Sequence, residues 1–276
     1  MIALFTSCSR PYGTKCRTFQ QVCRKFEFLA FWLKSGLHFR PLPQKLGRRC
    51  GGVACRRGLT AWLGGWGGAA MMVFWEQRLV VLATPKTGSS ALETALDGQA
   101  ALITRRPPEL KHTQAFKYRK LVARYLEKTA GERFSVVALM REPVDWLGSW
   151  YRFRQRRSRA NDPQGTGGLS FEEFVEGYVT TPRPRFAEVG SQFRFLSDGV
   201  GGVGVDRLFC YEQMDSFVRF LEERLERTIV LPLENVSPRG ELGLSAPMLA
   251  RLKEFCPEDF DLYDRARQGL IQRELA

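Results

Sequence analysis

The stretch Arg78-Leu-Val-Val-Leu-Ala83-Thr-Pro-Lys86-Thr-Gly88-Ser-Ser90-Ala-Leu92 decides how the chain folds. Its first six residues are short, branched in the middle and almost continuously apolar, the pattern of a strand buried on both faces. Thr84 to Ser90 are polar and include Pro85 and Gly88, so they read as a turn. Beyond it, Ala91, Leu92, Ala95 and Leu96 recur at i, i+1, i+4 and i+5, which gives one apolar face of a helix.

The same unit of strand, polar turn and helix occurs twice more. Arg133 to Met140 is a second apolar strand, and Arg141-Glu142-Pro143 leads from it into a helix reaching about Phe153, with proline at the first helical position. Asp206 to Tyr211 is a third strand, followed by a helix from Asp215 to about Arg227 striped with Phe217, Phe220, Leu221 and Leu225. Strands alternating with helices predict an α/β fold, a single domain on a parallel sheet, over residues 72–276. Ser158 to Gly168 and Thr180 to Pro184, rich in Arg, Gly and Pro, read as loops facing a substrate.

Composition supports a packed domain: 276 residues with 44% hydrophobic and 12% aromatic content exclude a disordered, collagenous or coiled-coil chain. The net charge of +13 is concentrated at one end. Residues 1–70 carry twelve Lys or Arg against one acid, Glu27, which leaves the remainder at only +2. A nearly neutral domain without an aromatic platform gives little basis for nucleic-acid binding.

The first 70 residues read as a basic, unstructured arm. Its longest apolar run, Phe28 to Leu33, is far short of the ~20 residues that cross a bilayer, and Met1 to Ser7 lack the charge of a secretory signal. The preferred reading is that translation starts at Met71 or Met72; a translated arm and a targeting peptide are the alternatives. Five of seven cysteines fall in this arm with irregular gaps, so unpaired thiols are expected rather than a zinc site with His38. A reducing, cytoplasmic setting follows, with no transmembrane segment.

In an open parallel sheet, ligands bind outside the carboxyl ends of the strands, where turns feed helix N-termini that favour anions. Thr84 to Ser90 lies at such an end with one lysine, one glycine, three later hydroxyls and a run of backbone N–H groups, chemically a phosphate cradle. It is not a Walker A loop, because the lysine precedes the glycine. Arg141 and Ser149, eight apart around Pro143, place a guanidinium and a hydroxyl on one edge of the same cleft, suited to a second phosphate. The glycines Gly201, Gly202 and Gly204 precede a strand and lack the third glycine of a dinucleotide fingerprint.

On these residues the chain resembles the sulfotransferase superfamily, which moves a sulfuryl group from 3′-phosphoadenosine 5′-phosphosulfate (PAPS) to a hydroxyl or amine. Thr84-Pro85-Lys86-Thr87-Gly88-Ser89-Ser90 is similar to the family's 5′-phosphosulfate loop. Arg141-x-Pro143-x5-Ser149-x-Tyr151 is similar to its 3′-phosphate motif. Asp206 to Glu212 resembles its late strand with a Tyr-Glu ending, and Leu231 to Gly240 and Phe255 to Tyr263 resemble the carbohydrate-type branch. The resemblance covers about Leu79 to Tyr263. It implies a P-loop-like architecture and PAPS as donor, with no metal. It also implies that Pro85 to Ser90, Arg141, Ser149 and Arg239 hold the nucleotide and that Lys86 meets the bridging oxygen of the leaving phosphate.

An acceptor hydroxyl must lose its proton, and a histidine titrates in the useful range. Outside the arm there is one, His112, in Glu109-Leu-Lys-His-Thr-Gln. It is the expected base, with Glu93 and Glu142 as runners-up. The acceptor class is open between carbohydrate, lipid and small metabolite. Two other functions compete: a kinase or other phosphoryl transferase on a similar sheet, and a polyanion-binding module built on Arg152, Arg154, Arg156, Arg157 and Arg159. That cluster reads equally as a site for an acidic acceptor or as a solvated helix end.

Overall fold

The computed structural model describes residues 70–157, 162–232 and 242–273. The expectations for the arm, its cysteines and Arg239 lie outside these residues, as does Arg159.

Five strands form one sheet: β1 (Met71–Phe74), β2 (Leu79–Leu82), β3 (Leu102–Thr104), β4 (Ser135–Met140) and β5 (Arg207–Cys210), in the order β3-β1-β2-β4-β5. The three strands read from sequence are β2, β4 and β5, and they are parallel neighbours, with Val81 opposite Val137 and Leu139 opposite Phe209. The sheet as a whole is mixed, which corrects the expectation of a parallel one. β1 runs antiparallel to both β2 and β3. Met71 and Met72, read as a start, are buried strand residues paired with Thr104 and Val81. The β1–β2 hairpin escapes a sequence reading because its turn, Trp75 to Arg78, contains no Gly, Pro, Asn or Asp; instead Arg78 takes a left-handed φ of 50°.

The helices are α1 (Ser89–Leu96), α2 (Pro108–Lys111), α3 (115–130, wound as a π-helix over Tyr118–Ala123), α4 (Pro143–Arg157), α5 (Phe171–Val179), α6 (Gln192–Leu196), α7 (Met214–Leu225), α8 (Ala246–Phe255) and α9 (Pro257–Arg267). They cover both faces of the sheet, which explains its continuous apolar strands. Val80, Leu82, Val136, Ala138 and Leu208 pack on the face of α3 and α9, with Tyr118, Leu126 and Leu262. Leu79, Val81, Val137 and Leu139 pack on the opposite face, with Leu92 and Leu96 of α1 and Phe217 and Leu221 of α7. A third cluster joins α4, α5 and α8 through Trp146, Tyr151, Phe174 and Leu252. At about 25 cal/mol per Å² of apolar area, these buried faces are the main force holding the helices to the sheet.

The carboxyl ends of β2, β4 and β5 therefore open on the same edge. Thr84 to Ser90 leaves β2 there, Arg141 leaves β4 and Tyr211 leaves β5.

Candidate functional site

The turn after β2 is built around two left-handed residues, Lys86 (φ 68°) and Gly88 (φ 74°). Glycine adopts such a φ freely, whereas a lysine does so at a cost of about 1–2 kcal/mol. Gly88 also lies against Tyr211: a Cβ there would sit 3.0 Å from the tyrosine ring. The Thr87 hydroxyl turns inward and donates to the Thr84 carbonyl at 2.9 Å, bracing the turn. Ser89 and Ser90 begin α1, whose N-cap is Gly88, and no side chain among the described residues caps the helix. The Ala91 and Leu92 N–H groups donate to the Gly88 carbonyl at 3.1 and 3.4 Å, which leaves those of Ser89 and Ser90 as the N–H groups at the helix start with no acceptor in the helix. The Pro85 carbonyl is fixed by the Trp146 indole N–H at 2.9 Å. The Lys86 ammonium lies 4.3 Å from the ring centre of Phe153 and 5.6 Å from that of Trp150, both on α4.

Arg141 sits between the β2 turn and the β5 turn. Its Nη1 donates to the Lys86 carbonyl at 3.3 Å, and its guanidinium stacks over the Tyr211 ring at 4.5 Å. Nε and Nη2 both reach Asp145 Oδ2, at 2.7 and 2.6 Å. Sequence order alone does not reveal the partner that aims Arg141. Gln192 of α6 is almost fully buried; its amide nitrogen donates to the Arg141 carbonyl at 2.8 Å, while its amide oxygen accepts the Arg141 N–H at 2.9 Å. One glutamine satisfies both backbone groups of the residue.

Ser149 lies one turn beyond Asp145 on α4 and is only 4% exposed. Tyr151 donates its hydroxyl to the Leu169 carbonyl at 2.6 Å, which assigns it to the packing of α4 against the segment before α5. Glu212 accepts from the Glu142 N–H at 2.9 Å and from the Tyr263 hydroxyl at 3.0 Å. The Arg141 turn, the Tyr-Glu ending of β5 and α9 are thereby joined.

On the other side of Pro85, a cleft of about 460 Å³ is bounded by Thr84, His112, Trp146, Gln192 and residues of the 189–195 segment. This segment and residues 108–117 supply its walls, while the Thr180 to Pro184 loop does not line it. His112 lies at the end of α2, with Nδ1 2.7 Å from the Ala83 carbonyl. A carbonyl accepts only, so the neutral ring carries its proton on Nδ1 and leaves Nε2 basic. Burial pushes the imidazole below its ordinary pKa, and the charges of Lys111 and Lys86 act in the same direction against the opposing effect of the Ala83 hydrogen bond. The Thr84 hydroxyl, also on the cleft, is buried without a partner among the described residues.

The runners-up are engaged elsewhere. Glu93 is buried and paired with Arg105. Glu142 accepts the Asp145 N–H at 2.7 Å as a brace for the start of α4, and burial raises its pKa. Neither lines the cleft. The arginine run divides: Arg154 donates to the Arg185 and Glu188 carbonyls, whereas Arg152 turns to Asp145 at 3.5 Å. Among the described residues no three His, Cys, Asp or Glu side chains converge as a metal would require, and no helix is long and apolar enough to cross a membrane. Compared with known proteins, the chain matches no family model and no curated sequence.

Proposed function

We propose that the protein transfers a sulfuryl group from PAPS to a hydroxyl-bearing acceptor. One observation carries the reading: the Lys86 turn and Arg141 meet at 3.3 Å across adjacent parallel strands, beside a cleft entered by a histidine whose basic nitrogen is fixed. A guanidinium held through the Lys86 carbonyl against a turn that favours anions suits the two ends of one doubly phosphorylated adenosine. The convergence of Gly88, Arg141, Tyr211, Glu212 and Tyr263 supports the same reading, because the motifs that resemble the sulfotransferase superfamily are far apart in sequence and adjacent here.

The chemistry follows from the residues. In an in-line displacement the acceptor oxygen bonds to sulfur as the bond from sulfur to the bridging phosphate oxygen breaks. Adenosine 3′,5′-bisphosphate and a sulfate ester are the products. Charge accumulates on the bridging oxygen, so the Lys86 ammonium and the Ser89 and Ser90 N–H groups at the start of α1 act on the transition state rather than on the ground state. His112 Nε2 takes the acceptor proton, and its lowered pKa keeps it unprotonated at neutral pH. Arg141 selects the nucleotide; a charge-assisted contact of this kind contributes about 1.5–3 kcal/mol. The cleft at His112 is the acceptor side, open to a carbohydrate, lipid headgroup or small metabolite.

The competing phosphoryl-transfer reading would hold Mg²⁺ on an acidic strand end, and β4 ends at Met140 with Arg141 next. Calorimetric titration of the full chain with adenosine 3′,5′-bisphosphate and, separately, with ATP and Mg²⁺ decides between them. Binding of the bisphosphate with no response to ATP and Mg²⁺ is the expected result. The reverse preference would overturn the proposal.

A further inference from the structure

We infer that Arg152 is a second guanidinium of the 3′-phosphate site and that the Asp145 carboxylate is a built-in placeholder there, displaced when the phosphate arrives. The inference rests on the nucleotide reading above and extends it to two residues outside the Arg141–Ser149 pair.

The geometry comes from one side of α4. Asp145, Gly148 and Arg152 stand three and four residues apart, so they share a helix face with Arg141 just ahead of the first turn. Asp145 gives one oxygen to Arg141 through two short contacts, 2.6 and 2.7 Å, and the other to Arg152 Nη2 at 3.5 Å. Gly148 lies beneath the Arg152 guanidinium, whose terminal nitrogens a Cβ there would meet at an ordinary 3.7 Å, and the close approach that requires glycine is to Leu242, at 2.3 Å.

The two arginines are held differently. Arg141 is fixed independently of Asp145, by the Lys86 carbonyl and the Tyr211 ring. Arg152 has no such support. Its side chain is only 14% exposed, and among the described residues its sole polar contact is the long one to Asp145 and its buried Nε has no partner. A buried guanidinium N–H without an acceptor is costly, and an oxygen of a bound phosphate would satisfy it.

Charge gives the direction of exchange. Two guanidinium groups against one carboxylate leave the cluster at +1, whereas a phosphate carrying close to two negative charges would neutralise both arginines and offer three oxygens to their remaining N–H groups. Asp145, the most exposed member at 43%, is free to rotate toward water when that happens. Until then it prevents two adjacent buried cations from repelling each other. Arg154, two residues on, projects to the opposite side of α4 and pins the 185–188 segment, so the second guanidinium is Arg152 specifically.

The test is calorimetric titration of the full chain and of Arg152→Ala, Arg152→Lys and Asp145→Asn with two probes, adenosine 3′,5′-bisphosphate and adenosine 5′-phosphate. Arg152→Ala should weaken the bisphosphate at least tenfold while changing the 5′-phosphate less than threefold, and Arg152→Lys should recover part of the loss. Asp145→Asn, which removes the competing charge, should tighten the bisphosphate severalfold and leave the 5′-phosphate unchanged. Equal weakening of both nucleotides by Arg152→Ala, no weakening of either, or weakening by Asp145→Asn would each overturn the inference. Failure of the underlying reading has a separate signature: the unmodified chain would then bind the bisphosphate no better than the 5′-phosphate, and this inference would fall with it.

Discussion

Lys86 holds a backbone conformation that glycine would adopt at less cost, in the turn where the proposed chemistry occurs. This separates stability from activity. Lys86→Gly should be more stable than Lys86→Ala by about 1 kcal/mol in denaturant unfolding, because only the alanine keeps the left-handed strain, while both should lower turnover far more than nucleotide affinity. His112 gives the second prediction at this scale. Its folded pKa is below the ordinary imidazole value, so protonation that removes the base should set in only below about pH 6.5, and kcat/KM should hold its plateau from neutrality down to that region. The same shift means that the unfolded chain binds the proton more readily, so this residue's contribution to stability is complete above the unfolded pKa and declines as pH falls through the folded one. His112→Gln should abolish the acidic limb of the profile together with most of the activity; a limb that survives the substitution would remove the histidine from its role. Lys86 and His112 were legible in sequence as types in a pattern. Their orientation was not, because the Ala83 carbonyl and the rings of Trp150 and Phe153 come from distant segments.

At the scale of elements, α6 does the least obvious work. It is a five-residue helix capped by Ser191, whose hydroxyl accepts the Arg194 N–H, and held by buried Asp259, which accepts the Phe193 N–H at 2.8 Å. Its first residue, Gln192, is what fixes the Arg141 backbone. Gln192→Ala leaves two part-buried backbone groups unpaired and should cost about 2 kcal/mol of stability. It should also weaken bisphosphate binding, although Gln192 touches no part of the proposed nucleotide site except through Arg141; Gln192→Glu, which retains the acceptor, should lie between the two. No sequence signal marks Gln192, since a five-residue helix shows too little periodicity and the contact spans 51 positions. By contrast α1, α4 and α7 were legible, because each buries a stripe against the sheet or its neighbours and begins at a turn with its own punctuation. β1 and β3 were not: one follows a hairpin turn without turn residues, and the other is a three-residue, largely uncovered edge strand.

Across the whole molecule, the sheet edge that carries the site is secured at its opposite end by Asp206. This buried carboxylate accepts the Val136 N–H of β4 at 2.8 Å and pairs with Arg119 of α3 at 2.6 Å, and its carbonyl accepts the Arg273 N–H near the chain's end. Asp206→Ala would strand Arg119 and the Val136 N–H together. It should cost about 3–5 kcal/mol, read as a lower denaturant midpoint, with nucleotide affinity unchanged in the fraction that remains folded. Three parallel strands and their helices were readable because burial on both faces imposes a continuous apolar run; the mixed character of the sheet was hidden because antiparallel pairing leaves no comparable mark on four residues.

One nucleotide gripped at two turns is the central claim. Its most direct test is the ratio of affinities for adenosine 3′,5′-bisphosphate and adenosine 5′-phosphate, measured by calorimetry on the full chain and on Arg141→Ala. The unmodified protein should prefer the bisphosphate, and Arg141→Ala should erase that preference by weakening the bisphosphate alone at least tenfold, equivalent to about 1.4 kcal/mol. A preference that persists without Arg141, or no preference to begin with, would contradict it.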